Sequence, residues 1–346
     1  MRPDISVIIP VRDHADRLEA LLAGLPRDAV GGCTLETLVI DDGSQADPTP
    51  LCERYGARCL RELQSRGPAA ARNRGAAAAK GRFLAFFDAD VEYAEGMLET
   101  AIAALEPEGG PAAISFMNQA YHPNDGIVAN FGATIERFWF EDLFHGDDER
   151  AEVSGFTTRN GVVRRDAFDA IGGFDASFTT NGGEDYDFGK RLAAGRRIVL
   201  ARTPVLYHNF PRSLPRLLRN YYVRTALFVP YFLRNRPPFD RTQTSRSELA
   251  IRLMGAATLG PLVLAATPAP GKALWLLAAA ALFAGYAWGI RRFLAAAYRS
   301  SGRSLRFVCA CFLVHYLSTL VILAGGCRGL AAYLTGSRPS AQRSAG

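Results

Sequence analysis

The chain reads as an α/β domain with a mixed, mainly parallel sheet, followed by C-terminal transmembrane helices. Three observations predict this. Short apolar, β-branched runs of strand length alternate with apolar residues at helical spacing. The runs break off into proline or paired carboxylates, as strands do where they reach the rim of a parallel sheet. From residue 253 the composition changes to long apolar stretches.

Each element follows in order. Ile5-Ser6-Val7-Ile8-Ile9-Pro10 is a strand closed by proline, and Leu18, Leu21, Leu22 and Leu25 then recur at helical spacing. Residues 35–40 form a second strand that ends in Asp41-Asp42-Gly43-Ser44, where Gly43 allows a sharp turn and the acids face the ligand crevice. A shorter strand near 57–60 leads to an alanine-rich helix carrying Arg72, which can approach that crevice as a phosphate or carboxylate partner. Gly81 stops the helix before Phe83-Leu84-Ala85-Phe86-Phe87-Asp88-Ala89-Asp90. In this stretch a buried strand surfaces into two carboxylates at i and i+2. Alternate residues of an extended chain face the same way, so Asp88 and Asp90 can approach one hard cation and the phosphates it holds.

Composition removes several function classes. The net charge is +6, but 12 of the 40 Lys+Arg and only one of the 34 Asp+Glu lie from Arg241 onward, so the front is acidic and the tail basic. That basic charge sits beside apolar runs rather than on a face with interleaved aromatics, which points to a membrane surface and not to nucleic acid. The six cysteines include no C-x-x-C pair, so neither a zinc site nor a disulfide framework is indicated. The first apolar run is too short for a signal peptide, and the front of the chain is expected to stay in the cytoplasm.

Four stretches then stand in register: Val7-Ile8-Ile9-Pro10, Val39-Ile40-Asp41-Asp42-Gly43-Ser44, Ala71-Arg72-Asn73-Arg74-Gly75 and Phe87-Asp88-Ala89-Asp90. Together they resemble the nucleotide-sugar-binding half of the family 2 glycosyltransferases, with their GT-A fold. Downstream, Asn160-Gly161-Val162-Val163-Arg164-Arg165, Ile171-Gly172-Gly173-Phe174-Asp175 and Gly182-Gly183-Glu184-Asp185-Tyr186-Asp187-Phe188 are similar to the acceptor half. The resemblance covers roughly residues 6–208. It implies a donor site of Pro10, Asp41, Asp42, Arg72 and Asp88, in which Asp42 meets the base and Asp88 the ribose. It implies a divalent cation, Mn²⁺ or Mg²⁺, on Asp90 with Asp88, and His208 as the histidine that completes such sites. On the acceptor side it implies Asn160, Gly183 and Glu184, with Asp185 as the base. A carboxylate is needed there in any case, because an acceptor hydroxyl must lose its proton as it attacks opposite the departing diphosphate. The Q-x-x-R-W stretch of processive members has no counterpart, which argues for transfer of a single sugar.

Beyond His208, residues 211–236 carry arginines and aromatics at helical spacing, the pattern of a helix lying in the headgroup layer. The aromatic segment Phe131, Ile135, Phe138, Trp139, Phe140, Leu143, Phe144 reads instead as core or acceptor-pocket wall. Three apolar stretches follow, near 253–267, 273–290 and 307–325, the first interrupted by Pro261. Arginines at 291, 292, 299, 303 and 306 place the loop between the last two inside, and the Pro268-Ala269-Pro270-Gly271-Lys272 turn outside.

The expected organisation is a GT-A domain over 1–210, a basic interfacial segment over 211–248, a membrane anchor over 249–335 and a disordered tail. The expected protein is a multi-pass inner-membrane enzyme with its catalytic domain in the cytoplasm. It would invert the anomeric centre while moving one sugar from a nucleotide-diphosphate sugar to a hydroxyl on a lipid-linked or cell-envelope glycan. The alternatives are a transferase acting on a polyprenyl phosphate, which needs no strong base, and a catalytically silent membrane scaffold. Keeping every buried acid argues against the scaffold.

Overall fold

The computed structural model describes residues 3–180, 182–237, 239, 242, 245–268 and 270–336. The tail predicted to be disordered lies outside them, apart from Gly336. Two compact units emerge: one takes the chain up to Gln119 and Asp142–Asn209, the other Ala120–Glu141 and the described residues from Phe210 on.

The first unit is built on strands β1 (Ile5–Val11), β2 (Ala29–Val30), β3 (Cys33–Asp42), β4 (Arg58–Glu62), β5 (Phe83–Phe87), β6 (Val91–Glu92) and β7 (Ala113–Asn118), with β8 (Arg150–Val153), β9 (Asn160–Arg164) and β10 (Ile198–His208) after them. Helices α1 (Ala15–Gly24), α2 (Thr49–Arg54), α3 (Pro68–Ala78) and α4 (Met97–Leu105) join the early strands. After α5 (Ile127–Glu141), which belongs to the other unit, α6 (Arg165–Ala170) and α7 (Glu184–Ala193) complete it. The strands β4, β3, β1 and β5 run parallel, as βα alternation requires. The sheet then turns mixed: β9 inserts antiparallel between β5 and β7, and β10 runs parallel to β7.

The unbroken apolar run of β5 follows from its place in the middle of this sheet. Phe83, Ala85 and Phe87 pack into the core under α1 and α4, whereas Leu84 and Phe86 face a second core with Phe156, Phe168, Phe174 and Phe188. A strand covered on both faces has no polar side to show. Gly75 lets α3 lie close on the sheet, because a Cβ there would run into Ile8.

The second unit is helical. It comprises α5, α8 (Leu214–Asn235), α9 (Arg246–Ala257), α10 (Leu259–Ala266), α11 (Lys272–Gly289), α12 (Arg291–Ser300) and α13 (Leu305–Leu334). Three candidate membrane spans stand out by length and hydropathy: Arg246–Ala266, Lys272–Gly289 and Leu305–Leu334. The first breaks at Thr258 into α9 and α10, three residues before Pro261, whose ring crowds the carbonyl four residues back. Phe131, Ile135 and Trp139 of α5 are core residues here, packed with Leu217, Phe293 and Phe307. Gly325 and Gly329 bring α13 against Tyr222 and Ala226 of α8, so this basic helix has a protein-covered side as well as exposed arginines. A buried polar group links the spans, with the Tyr286 hydroxyl 2.6 Å from His315 Nδ1 and Arg252 paired to Glu248 and Thr319.

Candidate functional site

Parallel strands β1, β3 and β5 end on one edge of the sheet, which puts Pro10, Asp41, Asp42 and Asp88 side by side. Because β9 is antiparallel to β5 and pairs Asn160 with Phe87, its starting end arrives at the same edge and delivers Arg159 there. The last residue of β10, His208, pairs with Val91 of β6 and so comes to rest beside Asp90.

Asp41 is fully buried, its Oδ1 accepting from Ser44 N at 2.9 Å and its Oδ2 lying 3.2 Å from Arg61 Nε. Asp42 accepts from Ser65 Oγ, Arg66 N and Gly67 N at 2.6, 2.7 and 3.0 Å, so its carboxylate pins the loop that opens α3. Gly67 is required in that loop: its φ is +93°, and a Cβ would strike the Thr179 carbonyl. Pro10 is half-buried at the end of β1.

Arg72 joins the two halves of the site. Its side chain is 2% exposed, with Nη2 2.5 Å from Asp88 Oδ1 and Nη1 3.1 Å from Glu184 Oε1. Burial alone would weaken the guanidinium's hold on its proton, but the two carboxylates outweigh it and raise the pKa. Glu184 opens α7, and its other oxygen accepts from Gly182 N at 3.0 Å; Gly183 is the helix N-cap residue, with φ +124°. The helix thus starts at Glu184. Asp185, its neighbour, is lifted to about 6 by burial and then by Glu184, with Arg72 and Arg159 pulling the other way.

Asp90 lies 3.7 Å from both His208 Nε2 and Arg17 Nη1. Burial would raise its pKa, yet His208, Arg159 and Arg17 hold it at about 2, so it is a carboxylate at any working pH. Arg159 Nη1 stands 3.3 Å from the other imidazole nitrogen, His208 Nδ1. Among the described residues, no three His, Cys, Asp or Glu side chains form a ready metal cage. A carboxylate oxygen beside an imidazole nitrogen nevertheless suits a borderline cation such as Mn²⁺, with phosphate oxygens to complete its shell. The expected ligand Asp88 turns its Oδ1 to Arg72 instead.

Asn160 departs from the acceptor role expected of it. It is 2% exposed, and its amide bridges to β7, donating to Phe116 O at 2.8 Å and accepting from Phe116 N at 3.4 Å. The side chain is turned into the sheet and braces two strands. Sequence reading passed over Arg17 and Arg159. Arg17 lies next to Leu18 on a short helix with nothing in the sequence to set it apart, and Arg159 is one arginine among many, legible only from its position before Asn160-Gly161.

Residues 6–172 match the family model described as Glycosyl transferase family 2. A pre-mycofactocin glycosyltransferase of Mycobacterium tuberculosis is 32% identical over 236 residues, 65% of this chain and 46% of the relative. A dolichyl-phosphate beta-glucosyltransferase of Drosophila melanogaster is 31% identical over 41% of this chain and 47% of the relative. The chain thus spans about half the length of these curated relatives. A mannosyltransferase from Pyrobaculum calidifontis, solved in complex with GDP-Man and Mn²⁺, shares the fold, with a TM-score of 0.53 at 18% identity over 96% of this chain and 88% of that one. The mixed sheet is that of the GT-A fold, and three apolar helices follow it. Over residues 6–172 the chain thus carries a domain that matches glycosyl transferase family 2, and beyond it three helices long and apolar enough to cross a membrane.

Proposed function

We propose that this protein is an inverting glycosyltransferase that moves a single sugar from a nucleotide-diphosphate sugar to a hydroxyl on a lipid-linked or cell-envelope glycan. The observation that carries the reading is the Arg72 bridge. One buried guanidinium pairs with both Asp88 and Glu184, which supports reading Asp88 on the donor side, Glu184 on the acceptor side and its neighbour Asp185 as the base.

Asp41 and Asp42, with Pro10, wall the nucleoside side, and Asp88 meets the ribose. Asp90, with His208, would hold the divalent cation. A cation bound there supplies Lewis acidity to the departing diphosphate. Asp185 takes the proton of the acceptor hydroxyl; near pH 7.5 it is ionised yet basic enough for the transfer. Gly183 lets the backbone approach the acceptor, and Glu184, spent on Arg72, supports the loop. The apolar helices anchor the protein in the inner membrane. The arginines of α12 and its flanks put that end, and the catalytic unit, on the cytoplasmic side.

A second reading is favoured by Arg17 and Arg159 beside Asp90 and His208: an acceptor that is itself an anion, a polyprenyl phosphate. The purified full-length chain, tested against a panel of nucleotide sugars with Mn²⁺ or Mg²⁺, should hydrolyse one donor slowly and only with the cation. Hydrolysis of none, or no effect of chelator, would overturn the proposal. Asp185→Asn separates the two acceptors, since only a neutral hydroxyl needs the base.

A further inference from the structure

The fold brings together two cysteines that the donor and acceptor chemistry leaves unused. Cys52 lies in α2 and Cys59 in β4, and both are free. After α2 the chain reverses at Gly56, whose φ is +73°, and Ala57 N donates to Cys52 O at 2.9 Å. Strand β4 therefore starts beside the helix it has just left, and Cys59 packs against the same core that buries Cys52 completely. The two thiols meet in a hydrogen bond in which Cys52 donates and Cys59 Sγ accepts.

That contact makes the two sulfurs unlike. The Cys59 pKa is lowered to about 7, by the Cys52 hydrogen bond first and then by one from Thr49, against burial and the charges of Asp41 and Asp47. Cys52 is raised, by donating to Cys59 and then by burial. A thiolate is the form that attacks an oxidant, and Cys59, half-buried, is the sulfur with an opening to solvent. A second thiol in contact with it can displace what forms there, the pairing that redox-responsive cysteines use.

We propose that Cys52 and Cys59 are an oxidation site, closed to a disulfide by a peroxide, and that closure weakens nucleotide binding. The Cys59 sulfur attacks one peroxide oxygen; the O–O bond breaks, hydroxide leaves with the proton Cys59 gave up, and a sulfenic acid remains. The Cys52 sulfur then attacks that of Cys59; the S–O bond breaks, the S–S bond forms and a second water leaves with the Cys52 proton. Two thiols are oxidised, and one peroxide is reduced to two waters.

The link to the nucleotide runs through Arg61, two residues after Cys59 and so on the same side of β4. Its guanidinium reaches Asp41 Oδ2 at 3.2 Å, Asp47 Oδ2 at 2.9 Å and Ser44 O at 3.3 Å. Thr49, at the start of α2, donates its N–H to Asp47 Oδ1 at 2.9 Å. The loop that leaves Asp41 and Asp42 therefore hangs between the two elements the disulfide would join. A covalent bond is shorter than the thiol contact it replaces, so closing it draws α2 and β4 together. The give comes from β4, which among the described residues pairs with β3 alone, or from α2, a helix of 6 residues. Either shift disturbs the hold of Arg61 on Asp41. The inference rests on the reading of Asp41 and Asp42 as the nucleoside wall.

The test exposes the reduced full-length chain to hydrogen peroxide. Trypsin cuts after Arg54 and Arg58, so a Cys52–Cys59 disulfide joins two otherwise separate peptides. Mass spectrometry should find that pair in the oxidised sample and lose it on reduction with dithiothreitol. Calorimetry with a panel of nucleoside diphosphates should show affinity falling roughly tenfold on oxidation, the worth of about one hydrogen bond to a charged group, and returning with dithiothreitol. Cys59→Ser should bind nucleotide as the reduced parent does and ignore peroxide, whereas Cys52→Ser should keep a Cys59 sulfenic acid that dimedone traps. Absence of the joined peptides, at a peroxide dose that oxidises the chain's methionines, would overturn the oxidation site. An unchanged affinity in the disulfide form, or an equal loss in peroxide-treated Cys59→Ser, would overturn its effect on the nucleotide. If the reduced parent binds no member of the panel, the nucleoside reading of Asp41 and Asp42 falls instead, and the joined peptides alone decide the oxidation site.

Discussion

Arg72→Met removes the cation between Asp88 and Glu184 while keeping most of the side-chain volume. The Arg72 side chain is 2% exposed and that of Glu184 5%, so the carboxylate left behind has no cation and no water, and keeps only the Gly182 N–H on its other oxygen. Deleting one partner of a buried ion pair costs about 3–5 kcal/mol, and for a unit of this size about 1 kcal/mol corresponds to roughly 2–4 °C in Tm. The expected loss is therefore about 10 °C, read as the unfolding temperature of the full-length protein in detergent. The penalty comes from the stranded charge, so Arg72→Met combined with Glu184→Gln should recover at least half of it, although Asp88 at 26% exposure stays unpaired. A single variant within about 2 °C of the parent, or a double variant no better than the single, would refute the account of Arg72 as a buried clamp.

Further outcomes are expected. Asp185→Asn should keep donor binding, measured by calorimetry, while transfer to a hydroxyl acceptor falls by about a hundredfold or more. In the parent, kcat/KM should rise as the pH passes about 6, where Asp185 ionises. Because that pKa is raised from 3.8, the native state binds the proton more tightly than the unfolded chain, so this group's contribution to stability falls from about pH 3.8 to about 6. The asparagine variant should lack that slope in a denaturation series against pH. Asp90→Asn should abolish turnover and the cation dependence of donor binding, a result contradicted by full activity in excess chelator. Reporters fused after Arg299 should read cytoplasmic and those fused between Pro268 and Lys272 external; two cytoplasmic readings would make the α10–α11 hairpin a re-entrant one.

The sequence by itself determined the alternation of β1, α1 and β3, the rims where strands run out into Pro10, Asp42 and Asp88, and the three apolar helices of the tail. Those features are local: side-chain periodicity and the residue that stops a run are set by a few neighbours along the chain. Tertiary structure decided what lies far apart in sequence. Arg72 finds Glu184 112 residues away, and Arg159 finds His208 49 residues away, because β9 enters antiparallel and brings its first end to the rim where β5 finishes. The same insertion turned Asn160 from a candidate for the acceptor into a brace between β9 and β7. No pattern within the segment reveals which strand will be its neighbour. Likewise α5 carried an apolar face in its own sequence, but only packing against Phe293, Leu217 and Phe307 assigned that face to the helical unit. A hydrophobic stripe specifies that it will be buried; its partner is chosen by where the rest of the chain has gone.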